Sequence, residues 1–230
     1  MRSATTPRAT AWLLAAAIGS LSVMLSGCVT PIALDKESPD VTYKVIRPIA
    51  VSVVDDREWL REGKPPTFIG RAHGVFGIPS DMETYPWLIS DKAKKGQALA
   101  QALADRIAVG LNDEGWKVTS VESEATPDEA TVTALLSARG SERLVVLTLT
   151  QWFISVNLNW VGAFNFDWGY RLAVYDERGK RLLGVDDQGR DVVDMQASES
   201  PQNMIKMAFR ARLIKILERP DLQSALQQVP

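Results

Sequence analysis

Few residues in this chain have the chemistry to act on a substrate. Its 230 residues hold one cysteine, Cys28, and one histidine, His73. Nucleophilic catalysis needs a nucleophile, a base and a group that orients the base. Here the base would have to be His73, which sits in the turn-rich stretch Gly70-Arg71-Ala72-His73-Gly74. No partner motif accompanies it, so a loop histidine without a catalytic role is expected. Gly70, Gly74 and Gly77 lack the strand–turn–helix spacing of a phosphate-cradling loop. Asp55-Asp56 and Asp186-Asp187 have the charge for a metal or an acid pair. Aspartate doublets also end strands and solvate turns, and that role is expected of them. Zinc would need more thiols or imidazoles. The residues therefore predict no catalytic site, no metal and no cofactor.

Cys28 has a different context. Arg2 and Arg8 precede a 15-residue apolar stretch, Ala11 to Leu25, interrupted only by Gly19, Ser20 and Ser22. A basic start, a short apolar run and small residues form the grammar of a secretory signal. The run is short for a membrane span, which takes about 20 apolar residues. An exported chain with a single cysteine has no internal disulfide to make.

The leader ends Leu25-Ser26-Gly27-Cys28, which resembles the bacterial lipobox. The resemblance implies cleavage before Cys28, a signal peptide over 1–27, and lipid on the Cys28 thiol. One acyl chain anchors marginally, whereas two or more hold stably. Val29 follows the cysteine. By similarity to the enterobacterial sorting pattern, this implies the outer membrane, with the domain facing the periplasm. Residues 28–40, with Pro31, Ser38 and Pro39, show no periodicity and are expected to be a lipidated tether. Twelve such residues reach roughly 40 Å.

Residues 41–230 are then expected to form a single domain. The full chain carries 26 basic and 28 acidic residues. Loss of Arg2 and Arg8 with the leader brings the net charge to −4, so nucleic acid is not an expected partner.

The elements follow from periodicity. Ile49–Val54 reads as a buried strand, and 58–90 as a long irregular excursion with a short strand near 67–72. An amphipathic helix is expected over Asp91–Glu114, with Ser90 as N-cap and Gly115 ending it. Trp116–Val121 reads as a strand. Thr126-Pro127-Asp128-Glu129 resembles a capping box and opens a short helix to Arg139, stopped by Gly140.

Arg143–Trp160 is almost continuous strand. Its apolar positions switch from odd (Val145, Leu147, Leu149) to even (Trp152, Ile154, Val156), so either a bulge lies near Thr150–Gln151 or the buried face changes. Phe164 to Val174 alternates strictly, Asp176–Lys180 is a turn, and Arg181–Val193 a further strand. A last helix starts at Ser200-Pro201 and runs to Glu218. The predicted class is α+β: a mainly antiparallel sheet with two long helices and one short helix on one face.

These residues also carry a family resemblance. Pro48–Arg57 (PIAVSVVDDR), Phe68-Ile69-Gly70-Arg71, and the helix Ala98–Leu111 with its Glu114-Gly115-Trp116 ending resemble the YajG-type bacterial lipoproteins. More loosely, they are similar to the small α+β domains of transport-auxiliary lipoproteins and of TolB. The resemblance implies an envelope domain and brings no catalytic residues.

Two candidate contact surfaces remain. Trp152, Trp160, Phe164, Phe166 and Trp168 cluster on one long hairpin. They are expected either to pack as core or to project at the tip as an apolar patch for an envelope protein, a lipid or a glycan. The candidate contact residues are Trp160, Phe164, Phe166 and Trp168. Lys206, Arg210, Arg212 and Lys215 flank the apolar arc of the last helix. They are expected to reach water, with anionic head groups as the alternative. Lys92, Lys94 and Lys95 stand at an expected helix start, where an anion site or a solvated face would fit. Three functional readings follow: a non-enzymatic envelope binding protein, a transport auxiliary handling an apolar ligand, and an unrecognised enzyme. The oligomeric state is not encoded at this level.

Overall fold

The structure is a computed structural model, and it describes residues 32–74, 77–157, 162–196 and 198–228. The described residues belong to one compact unit. Cys28 and Trp160 lie outside the described residues. No described helix is long and apolar enough to cross a membrane.

Among the described residues the order is α1 (Leu34–Glu37), β1 (Ile49–Asp55), α2 (Glu58–Arg61), β2 (Phe68–His73), β3 (Pro79–Glu83), α3 (Thr84–Trp87), α4 (Leu99–Asp113), β4 (Val118–Ser120), α5 (Glu129–Arg139), β5 (Arg143–Asn157), β6 (Ala163–Asp176), β7 (Arg181–Asp194), α6 (Pro201–Leu217) and α7 (Pro220–Gln227). The expected α+β class is borne out in a seven-stranded sheet. The sheet is mixed. β1 pairs in parallel with β4 and β5, and β2 in parallel with β5, while β2–β3, β5–β6 and β6–β7 are antiparallel. The long ladders are the antiparallel ones.

β5 is the spine. Its first half pairs with β1, from Arg143 to Leu149, and its second half with β2, from Ile154 to Asn157. Arg57 fills the break between β1 and β2. Its guanidinium is fully buried, forks onto Asp55 (2.7 Å), and donates to the carbonyls of Phe68 (2.7 Å) and Trp152 (3.1 Å). A buried charge demands such partners. The break coincides with a bulge in β5 between Leu149 and Gln151. The bulge resolves the odd-to-even switch: Val145, Leu147 and Leu149 join Trp152, Ile154 and Val156 in one core. β6 alternates as expected, with Phe164, Phe166, Trp168, Tyr170, Leu172 and Val174 turned into that core.

Helix placement differs from expectation at one point. α4, α6 and α7 pack on one face with the larger core, but α5 puts Val132 and Leu136 on the opposite face against Ala50, Val54, Leu144 and Val146. Connectivity explains this. From β1 the chain reaches neighbouring β4 after α4, then recrosses after α5 to β5 on the other side of β1. Right-handed crossovers made in opposite directions put their helices on opposite faces.

Several boundaries also move. α4 starts at Leu99, not Asp91, because Lys92–Lys94 is a separate 3-10 turn capped by Asp91. Ser90 therefore caps nothing there. α5 is capped by Asp128, whose side chain accepts from Thr131 N–H, rather than by Thr126; Gly140 in the left-handed region ends it as expected. The polar edge strand β3 was not anticipated, and His73 lies on β2 rather than in a loop.

The largest correction concerns the tether. From Leu34 onward the segment is folded onto the domain, and Glu37, Ser38 and Pro39 are buried.

Candidate functional site

The two surfaces of interest share helix α6. Ser200 caps it, accepting from Asn203 N–H, with Pro201 in its first turn. At about 100° per residue its side chains fall into three arcs. Ile205, Phe209, Leu213 and Ile216 form the buried arc. Phe209 meets Trp152 edge-on at 5.4 Å and Phe166 at 5.0 Å, and Trp152 and Phe166 meet at 5.0 Å. Such aromatic pairs contribute about 0.5–1.5 kcal/mol each beyond area burial.

The second arc, Asn203, Lys206 and Arg210, holds the N-terminal strap. Asn203 Oδ1 accepts from Ile32 N–H (3.3 Å). Glu37 inserts between two cations: Oε2 lies 2.6 Å from Arg106 and Oε1 2.5 Å from Lys206. Lys206 also donates to Ser90 Oγ (2.8 Å), and Arg106 to the Leu88 carbonyl (2.7 Å). Burial lowers the Arg106 pKa, and the Glu37 carboxylate opposes that shift. Arg210 completes the hold on the Ser38 carbonyl and Asp40. On α4, Gly110 admits the strap, since a Cβ there would collide with the Pro39 carbonyl.

The third arc, Met204, Ala208, Ala211 and Lys215, faces β7 across a groove of about 780 Å³. Its other wall is Asp191, Val193 and Asp194, and Ile32 also lines it. The groove exists because Ala208 and Ala211 are too short to fill the space that Phe209 and Leu213 fill on the buried arc. Of its further lining residues, Val192 is 64% and Met207 43% exposed. Arg212 holds the wall residue Asp191 from outside the groove: it forks onto the carboxylate (Nε–Oδ2 3.2 Å) and lies 3.6 Å from the centre of the Trp168 ring. Arg190 pairs with Asp167, and this hydrogen bond raises the arginine's pKa.

The expected site residues distribute differently. Phe164, Phe166 and Trp168 are 2%, 0% and 8% exposed, so they form core and present no apolar patch. The reason is the alternation itself, which turns all three inward. Asp55 pairs with Arg57, and Asp56 with Arg61 and Arg171. Asp55 and His73 stand opposite Leu149 and Asn157 of β5, eight residues apart, or about 25 Å along the strand, so they form no joint site. Asp186 and Asp187 lie within β7 rather than in a turn. Among the described residues no group of three or more His, Cys, Asp or Glu side chains is arranged to hold a metal.

The basic residues of α6 reach partners rather than water: Lys206, Arg210 and Arg212 are bonded as above, and only Lys215 stays exposed at the groove. Lys92, Lys94 and Lys95 are exposed and remote from the start of α4, which removes the helix-end rationale for an anion there. The groove was missed in the sequence. Its only local signals are the small third arc of α6 and the Val192-Val193 pair at the end of the last strand.

No protein-family model matches the chain, and no curated protein is similar to it. Among solved structures it is similar to protein XCC0632 of Xanthomonas campestris, described under the family-model DUF330, with 10% identity over 82% of this chain and 91% of that one, and a TM-score of 0.42. It is also similar to lipoprotein GNA1162 of Neisseria meningitidis, with 14% identity over 74% of this chain and 98% of that one, and a TM-score of 0.31. At such values neither neighbour's role transfers to this chain.

Proposed function

We propose that this chain is a lipid-anchored protein of the bacterial envelope that works by binding, without catalysis, and that the groove between β7 and α6 is its contact surface. The leader and the Leu25-Ser26-Gly27-Cys28 box support the anchor, and Val29 supports the outer membrane. The groove is the observation that carries the binding role. It combines a mostly apolar lining that includes the exposed Val192 and Met207 with a wall carboxylate, Asp191, held in place by Arg212. Concave apolar sites with a few placed polar groups are where ligands and partners bind. A second reading, transport of an apolar ligand, draws on the same lining.

Mass spectrometry of the mature protein tests the anchor. A diacylglyceryl mass on Cys28, with globomycin blocking cleavage, is expected; an unmodified thiol would remove this half of the proposal. Ala211→Trp tests the groove by filling it. The variant is expected to lose at least tenfold in binding of an apolar fluorescent dye while staying folded. Undiminished dye binding would move the contact surface elsewhere.

A further inference from the structure

We infer that the groove and the free edge of β7 together form a strand-addition site for an extended peptide with apolar side chains on one face and basic side chains on the other. The inference rests on the groove being the contact surface and specifies its partner.

The first observation is the edge. β7 pairs with β6 along its whole length, Arg181 to Asp194, and among the described residues no strand pairs with its other side. In an antiparallel strand, alternate residues direct their backbone N–H and C=O away from the existing partner. Half of β7 therefore presents a hydrogen-bonding row that no described strand pairs, with the Gln188 N–H already donating to Asp187 Oδ1, and such a row is the template that an added strand uses.

The second observation is where the groove lies. It runs beside the last part of this edge, beneath the third arc of α6. Side chains of an added strand alternate between the two sheet faces. Every second one would enter the space between β7 and Met204, Ala208 and Ala211. The wall residues 190–196 match a partner stretch of about seven residues, roughly 23 Å long.

The third observation is charge. β7 carries Asp186, Asp187, Asp191 and Asp194 against Arg181 and Arg190. Arg190 is taken by Asp167, Asp191 by Arg212, and Asp187 lies 3.5 Å from Arg219. Among the described residues Asp186, Asp194 and Arg181 have no ion pair, and Arg181 lies at the far end of the strand from the groove, so the stretch beside the groove is acidic through Asp186 and Asp194. This favours basic side chains on the partner's outer face. It also opposes a second copy of β7, which would bring the same excess of acid.

The mature protein in detergent micelles provides the test, with fluorescent nine-residue peptides as probes. One alternates valine and lysine, one alternates valine and glutamate, and one replaces the central lysines of the first with proline. The valine–lysine peptide is expected to bind at least tenfold more tightly than the other two. It should lose at least tenfold in affinity for Ala211→Trp, and it should slow amide hydrogen exchange at alternate residues of β7. Failure of the peptide to protect β7, while Ala211→Trp still abolishes dye binding, overturns strand addition and leaves the groove reading intact. Loss of neither dye nor peptide binding in Ala211→Trp overturns both. β7 amides already protected in the free protein would give the edge to the protein's own chain, or, with a dimer in ultracentrifugation, to a second copy; either result overturns the inference.

Discussion

The two flanks of α6 are built by opposite means. On one, a carboxylate and two cations are buried together and the strap lies flush. On the other, two alanines leave a gap and no described strand pairs with the outer side of β7. The buried arc between them is ordinary aromatic and aliphatic core. The contrast teaches that one helix can be committed on one side and available on the other. Stability and binding should then separate cleanly in mutants.

Glu37→Ala attacks the committed flank most directly. It leaves the nearly buried Arg106 and Lys206 without their carboxylate, and removal of one partner from a buried set costs about 3–5 kcal/mol. Chemical denaturation measures this, and a loss below about 1 kcal/mol would mean that the strap is held elsewhere. Gly110→Ala drives a methyl group into the Pro39 carbonyl, and overpacking of this kind costs about 1–3 kcal/mol. An unchanged melting temperature would show that the strap can shift freely.

Tyr43 gives a pH-dependent reading on the strap side. Its hydroxyl donates to the Leu217 carbonyl (2.8 Å) at the end of α6. Burial first, and the Glu218 charge second, push its pKa far above the usual 10.0. The folded state thus holds a proton that the unfolded chain releases. The associated stability is intact below pH 10 and declines as pH rises beyond it. Tyr43→Phe should show a shallower alkaline loss than the parent; parallel curves would contradict this. Ala211→Trp should have the smallest effect, within about 0.5 kcal/mol, because Ala211 is exposed on the open flank. A large loss there would erase the distinction between the flanks.

What the sequence reveals follows the same division. Wherever a pattern repeats along the chain, the element is legible: the alternation of β6, the apolar arc of α6, the parity switch that marks the β5 bulge. Stop signals such as Gly140 are legible because they act locally. The strap is not, since Leu34–Glu37 makes a single turn and its burial depends on Arg106 and Lys206, distant in the chain. A glutamate in a short polar stretch reads as solvated until its cations are seen. α5 was placed on the wrong face because crossover direction depends on strand order, which local patterns do not specify. The aromatic residues drew attention by type, although their parity already pointed inward. The groove is defined by small side chains and by a strand that no other described strand follows in the sheet, and features of this kind leave little trace in periodicity.

Arg57 has a practical consequence. By stapling the gap between β1 and β2 it makes two segments act as one interrupted line along β5, with the intervening residues looped outward. The turn at Glu62–Gly63 lies in that loop, and a side chain at Gly63 would begin in open space. Foreign residues can therefore be spliced in there with neither ladder shifting register. A dye or affinity handle so inserted would report on the molecule while leaving both flanks of α6 untouched.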